Sequence, residues 1–181
     1  MVFDLDPGPP ADLVTCCKAA LVFREYFREA GLDSVAKTSG NKGLQLYVPL
    51  NTPTTYDETK SWARGLAEAF EAKFPELFVS EMKKSVRDGK VFVDWSQNDA
   101  NKTTISVYSL RARARPTVST PISWREIEEA VKNDDASSLL FEAAEVLTRV
   151  EKVGDLFAPA LTLKQQLPDS PRAGTKKRAP R

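Results

Sequence analysis

Three aspartates in two strand-like stretches are the residues of this chain best suited to chemistry. Asp4 and Asp6 alternate within an apolar run, so in a β-strand both side chains would leave the same face of the sheet. Asp94 ends a second apolar stretch far along the chain. Clustered carboxylates with no lysine among them favour a divalent metal, because uncompensated buried acids are strongly disfavoured. We therefore interpret Asp4, Asp6 and Asp94 as metal ligands.

The D-x-D pattern fits a site with two ions. Alternate residues of a strand lie about 7 Å apart at Cα, and their carboxylates can converge on two ions roughly 4 Å apart. Such a site stabilises the attacking and leaving oxygens of phosphoryl transfer. Taken alone, a D-x-D pattern is also typical of a strand end or a turn. The strongly apolar strand before Asp94 favours the metal site.

Polar and basic residues elsewhere could bind the phosphates of a nucleotide. The turn 39–43, Ser-Gly-Asn-Lys-Gly, offers a backbone anion nest and the charge of Lys42, although an ordinary hairpin turn would look the same. Residues 96–98 supply hydrogen-bonding groups beside Asp94. The further cations lie in two groups, Lys83, Lys84, Arg87 and Lys90, and Arg111, Arg113 and Arg115. Both groups suit phosphate contacts, with solvated surface as the alternative.

Composition limits the chemistry that is available. The 181 residues are 41% hydrophobic and 28% charged with a net charge of +1, which suits one folded domain with local rather than global basic character. Histidine is absent, which excludes Ser-His triads and ordinary zinc sites. Cys16 and Cys17 lie in a helical pattern and are expected as core residues in a reducing cytoplasm. No membrane association is expected, because no apolar run could span a bilayer.

Hydrophobic periodicity predicts the elements that position these residues. Strands are expected over 1–6, 33–38, 44–48 and 91–95. One helix should run from a cap at Asp12 to Gly31, and a second should stop before Pro75. The order β-α-β-β-α-β is the split βαβ (ferredoxin-like or RRM-like) unit of an α+β fold. On that sheet the three acids share one open face if Asp94 lies on the side of Asp4.

The segments after this unit are predicted to add a strand and helices. A strand is expected over 103–110, and Arg111, Arg113 and Arg115 would share one face if it continued. Ser123 and Glu126 form a capping box for a helix. A last helix is expected over 137–151 with five inward-facing residues, Leu140, Ala143, Ala144, Leu147 and Val150. Residues 169–181 are expected to form a disordered basic tail, as a linker or a weak nucleic-acid tether.

Five sequence motifs occur along the chain, and together their identity and order are specific enough to indicate a protein family. They are VFDLDPG at 2–8, KTSGNKGLQLYVPL at 37–50, KVFVDWSQN at 90–98, YSLRARARPTVSTPISW at 108–124 and GDLFAPALTLKQQLP at 154–168. Together they resemble the polymerase (primase-polymerase) domain of bacterial ATP-dependent DNA ligase D, a branch of the archaeo-eukaryotic primase superfamily. The resemblance assigns residues 1–168 to such a domain.

The resemblance implies a nucleotidyltransferase that uses Mn²⁺ or Mg²⁺, as two ions, to add ribonucleotides or deoxynucleotides to DNA ends in non-homologous end joining. Asp4, Asp6 and Asp94 would be the metal ligands and catalytic residues. The implied nucleotide-binding residues are Ser39, Gly40, Lys42, Gln45, Arg87, Gln97 and Arg111. The implied partners are DNA ends, nucleoside triphosphates, the Ku protein and a ligase domain or chain, in the cytoplasm at the nucleoid.

Two departures from the family pattern leave a second hypothesis open. Gln45 stands where the family usually has a histidine, and its lack of charge predicts reduced activity. The resemblance covers only the C-terminal portion of the family domain, so a further sheet, a catalytic-site histidine and much of the DNA-end grip are expected to be missing. The alternative is a truncated, non-catalytic remnant that binds nucleotide, DNA or a partner chain. An RNA-binding module is disfavoured, because acids rather than stacking aromatics occupy the sheet face.

Overall fold

A six-stranded mixed sheet organises the structure, a computed structural model that describes residues 1–169. Apart from Asp169, the predicted basic tail at 169–181 lies outside the described residues. The strands are β1 (Val2–Pro7), β2 (Val35–Thr38), β3 (Leu44–Tyr47), β4 (Phe78–Val79), β5 (Val91–Asp94) and β6 (Pro121–Ile122). The helices are α1 (Leu13–Glu29), α2 (Tyr56–Lys73), α3 (Trp124–Asn133), α4 (Ala143–Val153) and α5 (Pro159–Thr162). None of the helices within residues 1–169 has both the length and the apolar character needed to cross a membrane.

The strand order is β4-β5-β1-β3-β2-β6. Its central four strands, β5-β1-β3-β2, pair antiparallel and have the spatial order of the predicted split βαβ unit. The α+β fold class predicted from the sequence is therefore confirmed. β4 and β6 extend the two edges, and β4 is parallel to β5. β4 is not predicted from the sequence, because two residues are too few to show a period.

An aromatic core beneath the sheet decides which way the acids of β1 face. Phe23 of α1 lies with its ring centroid 4.9 Å from that of Phe3 and 4.7 Å from that of Phe70 of α2. Phe3 and Leu5 are fully buried in this core. Because successive side chains of a strand point to opposite faces, burying them places Asp4 and Asp6 on the other face.

The first helix begins and ends close to where the sequence predicts, and the second ends at Lys73, before Pro75 as predicted. Asp12 caps α1, with its side chain accepting a hydrogen bond from the backbone N–H of Thr15. Cys16 and Cys17 are buried free thiols in α1, as expected for core residues. Burial raises the pKa of Cys17 to about 12 and that of Cys16 well above its ordinary value.

The predicted strand at 103–110 is wrong. This segment consists of turns and extended residues with one isolated bridge, from Leu110 to Val118. Tyr108 takes a left-handed conformation at φ +64°, which a continuous strand excludes. The segment instead docks through backbone hydrogen bonds against residues 117–119. The three arginines that follow it, at 111, 113 and 115, therefore share no strand face. Arg113 is exposed, and Arg115 forms an ion pair with Glu142.

The predicted helix at 137–151 is wrong in its boundaries and in its buried face. A 3₁₀ turn at Ser137–Leu139 comes first, and α4 starts only after Glu142. The five residues expected to face inward are all exposed, Leu147 to 68%. Val146 is the buried residue of α4 instead. At the break, Phe141 accepts a hydrogen bond from the backbone N–H of Val118 at 2.9 Å, and Glu142 forms an isolated bridge with Thr117.

Candidate active site

One row of side chains crosses the open face of the sheet. Asp4 is register partner to Asp94 of β5 on one side and to Gln45 of β3 on the other. Gln45 is in turn opposite Lys37 of β2. Directly opposed residues in paired strands place their side chains on the same face. The shared face predicted for Asp4, Asp6 and Asp94 is therefore confirmed, and the row reads Asp94, Asp4, Gln45, Lys37.

The Asp4 carboxylate lies in surroundings that disfavour its charged form. Burial raises the pKa of Asp4 to about 7, and the charges of Asp6 and Asp94 raise it too. A hydrogen bond from Gln45 and the charge of Lys37 act in the opposite direction. A divalent cation would favour the charged form of Asp4, and a donor set made only of carboxylate oxygens fits Mg²⁺ or Mn²⁺.

The Asp94 carboxylate is turned toward residues that follow it in the chain. Its Oδ1 accepts from the backbone N–H and the hydroxyl of Ser96, at 3.0 and 2.6 Å, and its Oδ2 accepts from Nε2 of Gln97 at 2.8 Å. Within residues 1–169, no group of three or more Asp, Glu, His or Cys side chains is arranged to hold a metal ion. The predicted convergence of three carboxylates on shared ions is thus not seen in this conformation, and metal binding stays a prediction.

Two of the predicted phosphate-binding cations lie at the Asp6 end of the site. Arg87 places its guanidinium carbon 3.5 Å from the ring centroid of Phe92, and Phe92 is the register partner of Asp6. A Cβ at Gly8 would lie 1.9 Å from the backbone oxygen of Arg87. The chain around residue 8 can therefore pack this closely against the chain around Arg87 only with glycine at position 8. Lys42 reaches the same end, with Nζ 3.4 Å from the carbonyl oxygen of Pro7.

The turn at 39–43 does not form the predicted anion nest from all of its amides. The hydroxyl of Ser39 accepts from the backbone N–H groups of Asn41 and Gly43, each at 3.2 Å, so these two donors are occupied inside the turn. Arg111 lies against the turn instead, since a Cβ at Gly40 would be 2.7 Å from Arg111 Cγ. Positive charge at this edge therefore comes from side chains.

Two amide side chains of the site differ from what the sequence predicts. Gln45, expected as a nucleotide-binding residue, is only 3% exposed. Gln97, expected as a nucleotide contact, donates to Asp94, and its Oε1 is buried without a hydrogen-bond partner in the described part of the chain.

Lys37 is the residue that sequence reasoning missed. It is 1% exposed, and its ammonium donates to Gln45 Oε1 at 2.5 Å, Ser119 Oγ at 2.7 Å and the carbonyl oxygen of Ile105 at 3.0 Å. Burial lowers the pKa of Lys37 to about 8, while the charge of Asp4 raises it and that of Arg111 lowers it. The one feature of the sequence that could have indicated this buried residue is the position of Lys37 inside a predicted strand, next to Ala36.

Comparison with known proteins gives consistent matches. Residues 1–157 match the family described as LigD, primase-polymerase domain. The chain is 44% identical over 159 residues to the multifunctional non-homologous end joining protein LigD of Mycolicibacterium smegmatis, and 35% identical over 158 residues to the bifunctional LigD of Bacillus subtilis. These alignments cover 88% and 87% of this chain but 20% and 25% of the relatives. The chain therefore spans at most a quarter of the length of either relative.

A solved structure is also similar to this fold. It is described as the polymerase domain from Mycobacterium tuberculosis ligase D in complex with DNA. The TM-score is 0.81 at 42% sequence identity, and the match covers 88% of this chain and 54% of that chain. The family match at 1–157 contains the whole row from Asp94 to Lys37 and the three cations around it.

Proposed function

The chain belongs to the LigD primase-polymerase family, and we propose that it adds nucleotides to DNA ends in a metal-dependent reaction during non-homologous end joining. The observation that carries this proposal is the register pairing of Asp4 with Asp94, with Asp6 on the same face. Relatives described as end-joining proteins support the process. The similarity to a polymerase domain in complex with DNA supports the substrate class.

Asp4, Asp6 and Asp94 would hold Mn²⁺ or Mg²⁺, as two ions. When bound, such ions would neutralise charge on the triphosphate and favour ionisation of the attacking 3′-hydroxyl. The task of the protein is to keep the carboxylates ionised and oriented. Gln45 favours the ionised form of Asp4 through its hydrogen bond, and Ser96 and Gln97 hold the carboxylate of Asp94.

The cations around the carboxylates would bind the triphosphate of the incoming nucleotide. Lys42 and Arg87 lie at the Asp6 end, and Arg111 lies at the turn beside Gly40. Arginine can contact two phosphate oxygens at once, whereas lysine acts as a point charge. Ser39 shapes the turn that carries Lys42. Gln97 remains proposed as a further nucleotide contact through its Oε1.

The partners follow from the class of reaction. DNA ends would approach the open sheet face, and the exposed lysines of the 83–90 stretch would contact phosphates there. We include the Ku protein and a ligase domain or chain as partners, because addition at a broken end must be followed by sealing. Ribonucleotides and deoxynucleotides are both candidate substrates.

Extension of a primed DNA end in Mn²⁺ tests this proposal. Asp94→Asn keeps an oxygen that can accept from Ser96 but removes the negative charge. Since Asp94 is a proposed direct ligand, the loss of extension should exceed the roughly 10–100-fold typical of outer-shell partners. Asp33→Asn is the matched control, because Asp33 is exposed and bonds Gln165 only through its backbone. Equal extension by wild type and Asp94→Asn would rule out this site.

Binding without turnover is the second candidate function. The observation that favours it is the Asp94 carboxylate, both oxygens of which are hydrogen-bonded to Ser96 and Gln97. In that case ATP and Mn²⁺ would bind to the wild-type chain, as measured by calorimetry, while no primer would be extended under any metal condition. Extension by the wild type would exclude this second candidate.

A further inference from the structure

The ammonium group of Lys37 is buried beside the carboxylate site and has no donor left for a ligand. A lysine ammonium has three N–H donors and no acceptor. All three are used within the protein, on Gln45 Oε1, Ser119 Oγ and the carbonyl oxygen of Ile105. Lys37 therefore cannot bind a phosphate directly without giving up a buried hydrogen bond. Any effect of Lys37 on the site must pass through a neighbour.

The neighbour that faces the site is Gln45, and its amide has only one possible orientation. Its Oε1 accepts from Lys37 at 2.5 Å and from the hydroxyl of Tyr47 at 3.3 Å. Flipping the amide would set the Nε2 hydrogens against the ammonium hydrogens of Lys37 in a buried position. Such an unpaired buried contact is strongly unfavourable. The amide N–H groups are consequently directed away from Lys37, toward the side on which Asp4 is the register partner of Gln45.

We propose that Lys37 is a positioning residue that acts through Gln45, holding its amide as a hydrogen-bond donor to Asp4. The inference rests on the proposed function, in which Asp4 binds a cation. Held in this way, the Asp4 carboxylate presents its remaining oxygen lone pairs in one orientation toward the site. A neutral imidazole at position 45 would meet the same demand, with one nitrogen accepting from Lys37 and the other donating to Asp4. The absence of charge on Gln45 is therefore no defect in this arrangement.

A double-mutant cycle separates action through Gln45 from a direct effect of the Lys37 charge. Binding of Mn²⁺, alone and with ATP, is measured by electron paramagnetic resonance on wild type, Lys37→Met, Gln45→Met and the double variant. Each single change should weaken Mn²⁺ binding by about tenfold or more, as for outer-shell partners of a metal site. The double variant should bind no more weakly than the weaker single variant, because both changes remove one interaction.

Two further variants complete the experiment. Gln45→His should bind Mn²⁺ as wild type does, since imidazole can replace both hydrogen bonds, whereas Gln45→Met should not. This comparison decides the question even if Lys37→Met fails to fold. Lys102→Met is the matched control, because Lys102 is an exposed lysine in the neighbouring loop. Circular dichroism verifies that each variant is folded.

The outcomes are distinct. Additive losses in the cycle, or wild-type Mn²⁺ affinity in Gln45→Met, would overturn the positioning role while leaving the proposed function in place. A wild-type chain that neither binds Mn²⁺ nor extends a primer would overturn the proposed function, and this inference with it. Loss without additivity, rescued by Gln45→His, supports both.

Discussion

Substitution of Gly40 by alanine tests how the turn beside the site is held against the rest of the fold. Gly40 has φ +66°, a left-handed conformation that side chains disfavour. A Cβ there would lie 2.7 Å from Arg111 Cγ, 2.8 Å from the backbone nitrogen of Ser119 and 2.8 Å from the carbonyl carbon of Val118. The last two are backbone atoms, which cannot yield unless the 117–119 segment moves.

The expected loss of stability has two parts. The left-handed backbone costs an alanine about 1–2 kcal/mol. Overpacking against fixed atoms adds roughly 1–3 kcal/mol. Gly31 separates the backbone cost from the overpacking cost, because it has φ +73° but no atom within 4 Å of the added Cβ. Gly31→Ala should therefore show the first part alone, and Gly40→Ala should lose about 2–5 kcal/mol in total.

Urea unfolding followed by circular dichroism measures both variants under identical conditions. The displaced segment also carries Ser119, which accepts a hydrogen bond from Lys37. We therefore expect Gly40→Ala to weaken binding of ATP with Mn²⁺ in the absence of urea, whereas Gly31→Ala, at the far end of α1, should leave that affinity unchanged.

Equal destabilisation by Gly40→Ala and Gly31→Ala would refute this reasoning, since it would mean that the close contact with residues 118–119 carries no energy. Unchanged nucleotide affinity in a clearly destabilised Gly40→Ala would refute its second part, the link from the turn to Lys37.

Two further predictions concern the core and the buried lysine. Phe23→Ala should lower the free energy of unfolding by about 3–5 kcal/mol, because its ring packs against four other phenylalanines. Leu147→Ala, at a 68% exposed site, should change the free energy of unfolding by less than about 0.5 kcal/mol. Similar losses for the two variants in urea titrations would contradict the observed buried face of α4. The pKa of Lys37 is lowered by burial from 10.5 to about 8, so between these pH values the unfolded chain holds a proton that the folded chain has released. The free energy of unfolding should thus rise with pH by up to about 3 kcal/mol across this window. Lys37→Met should lack that rise. Identical pH profiles of unfolding free energy for the wild type and Lys37→Met would contradict the lowered pKa of Lys37.

The sheet face on which the β1 carboxylates lie could be predicted from the sequence, because the alternation of side chains along a strand is a local property. Phe3 and Leu5 are the residues that must be buried, and the period of two then fixes the side of Asp4 and Asp6. The split βαβ order followed in the same way, from alternating strand and helix periods with a clear cap at Asp12 for the first helix.

The segments that were predicted wrongly are those whose structure depends on distant partners. Residues 103–110 have strand-like composition, but their backbone groups bond to the 117–119 segment in turns. The helix expected over 137–151 is interrupted at residues 140–142, where Phe141 accepts a hydrogen bond from the backbone N–H of Val118 and Glu142 forms an isolated bridge with Thr117. In both cases side-chain and loop contacts compete with the regular pattern.

By itself, the sequence determined the elements of the split βαβ unit, the family and the face on which Asp4 and Asp6 lie, because these depend on periodicity and motif order along the chain. Only the tertiary structure decided that Asp94, Asp4, Gln45 and Lys37 form one row, because the register between strands joins residues up to 90 positions apart. It also decided that the Lys37 ammonium is enclosed by Gln45, Ser119 and Ile105. A buried cation requires partners in space, and no pattern along the chain specifies which residues those will be.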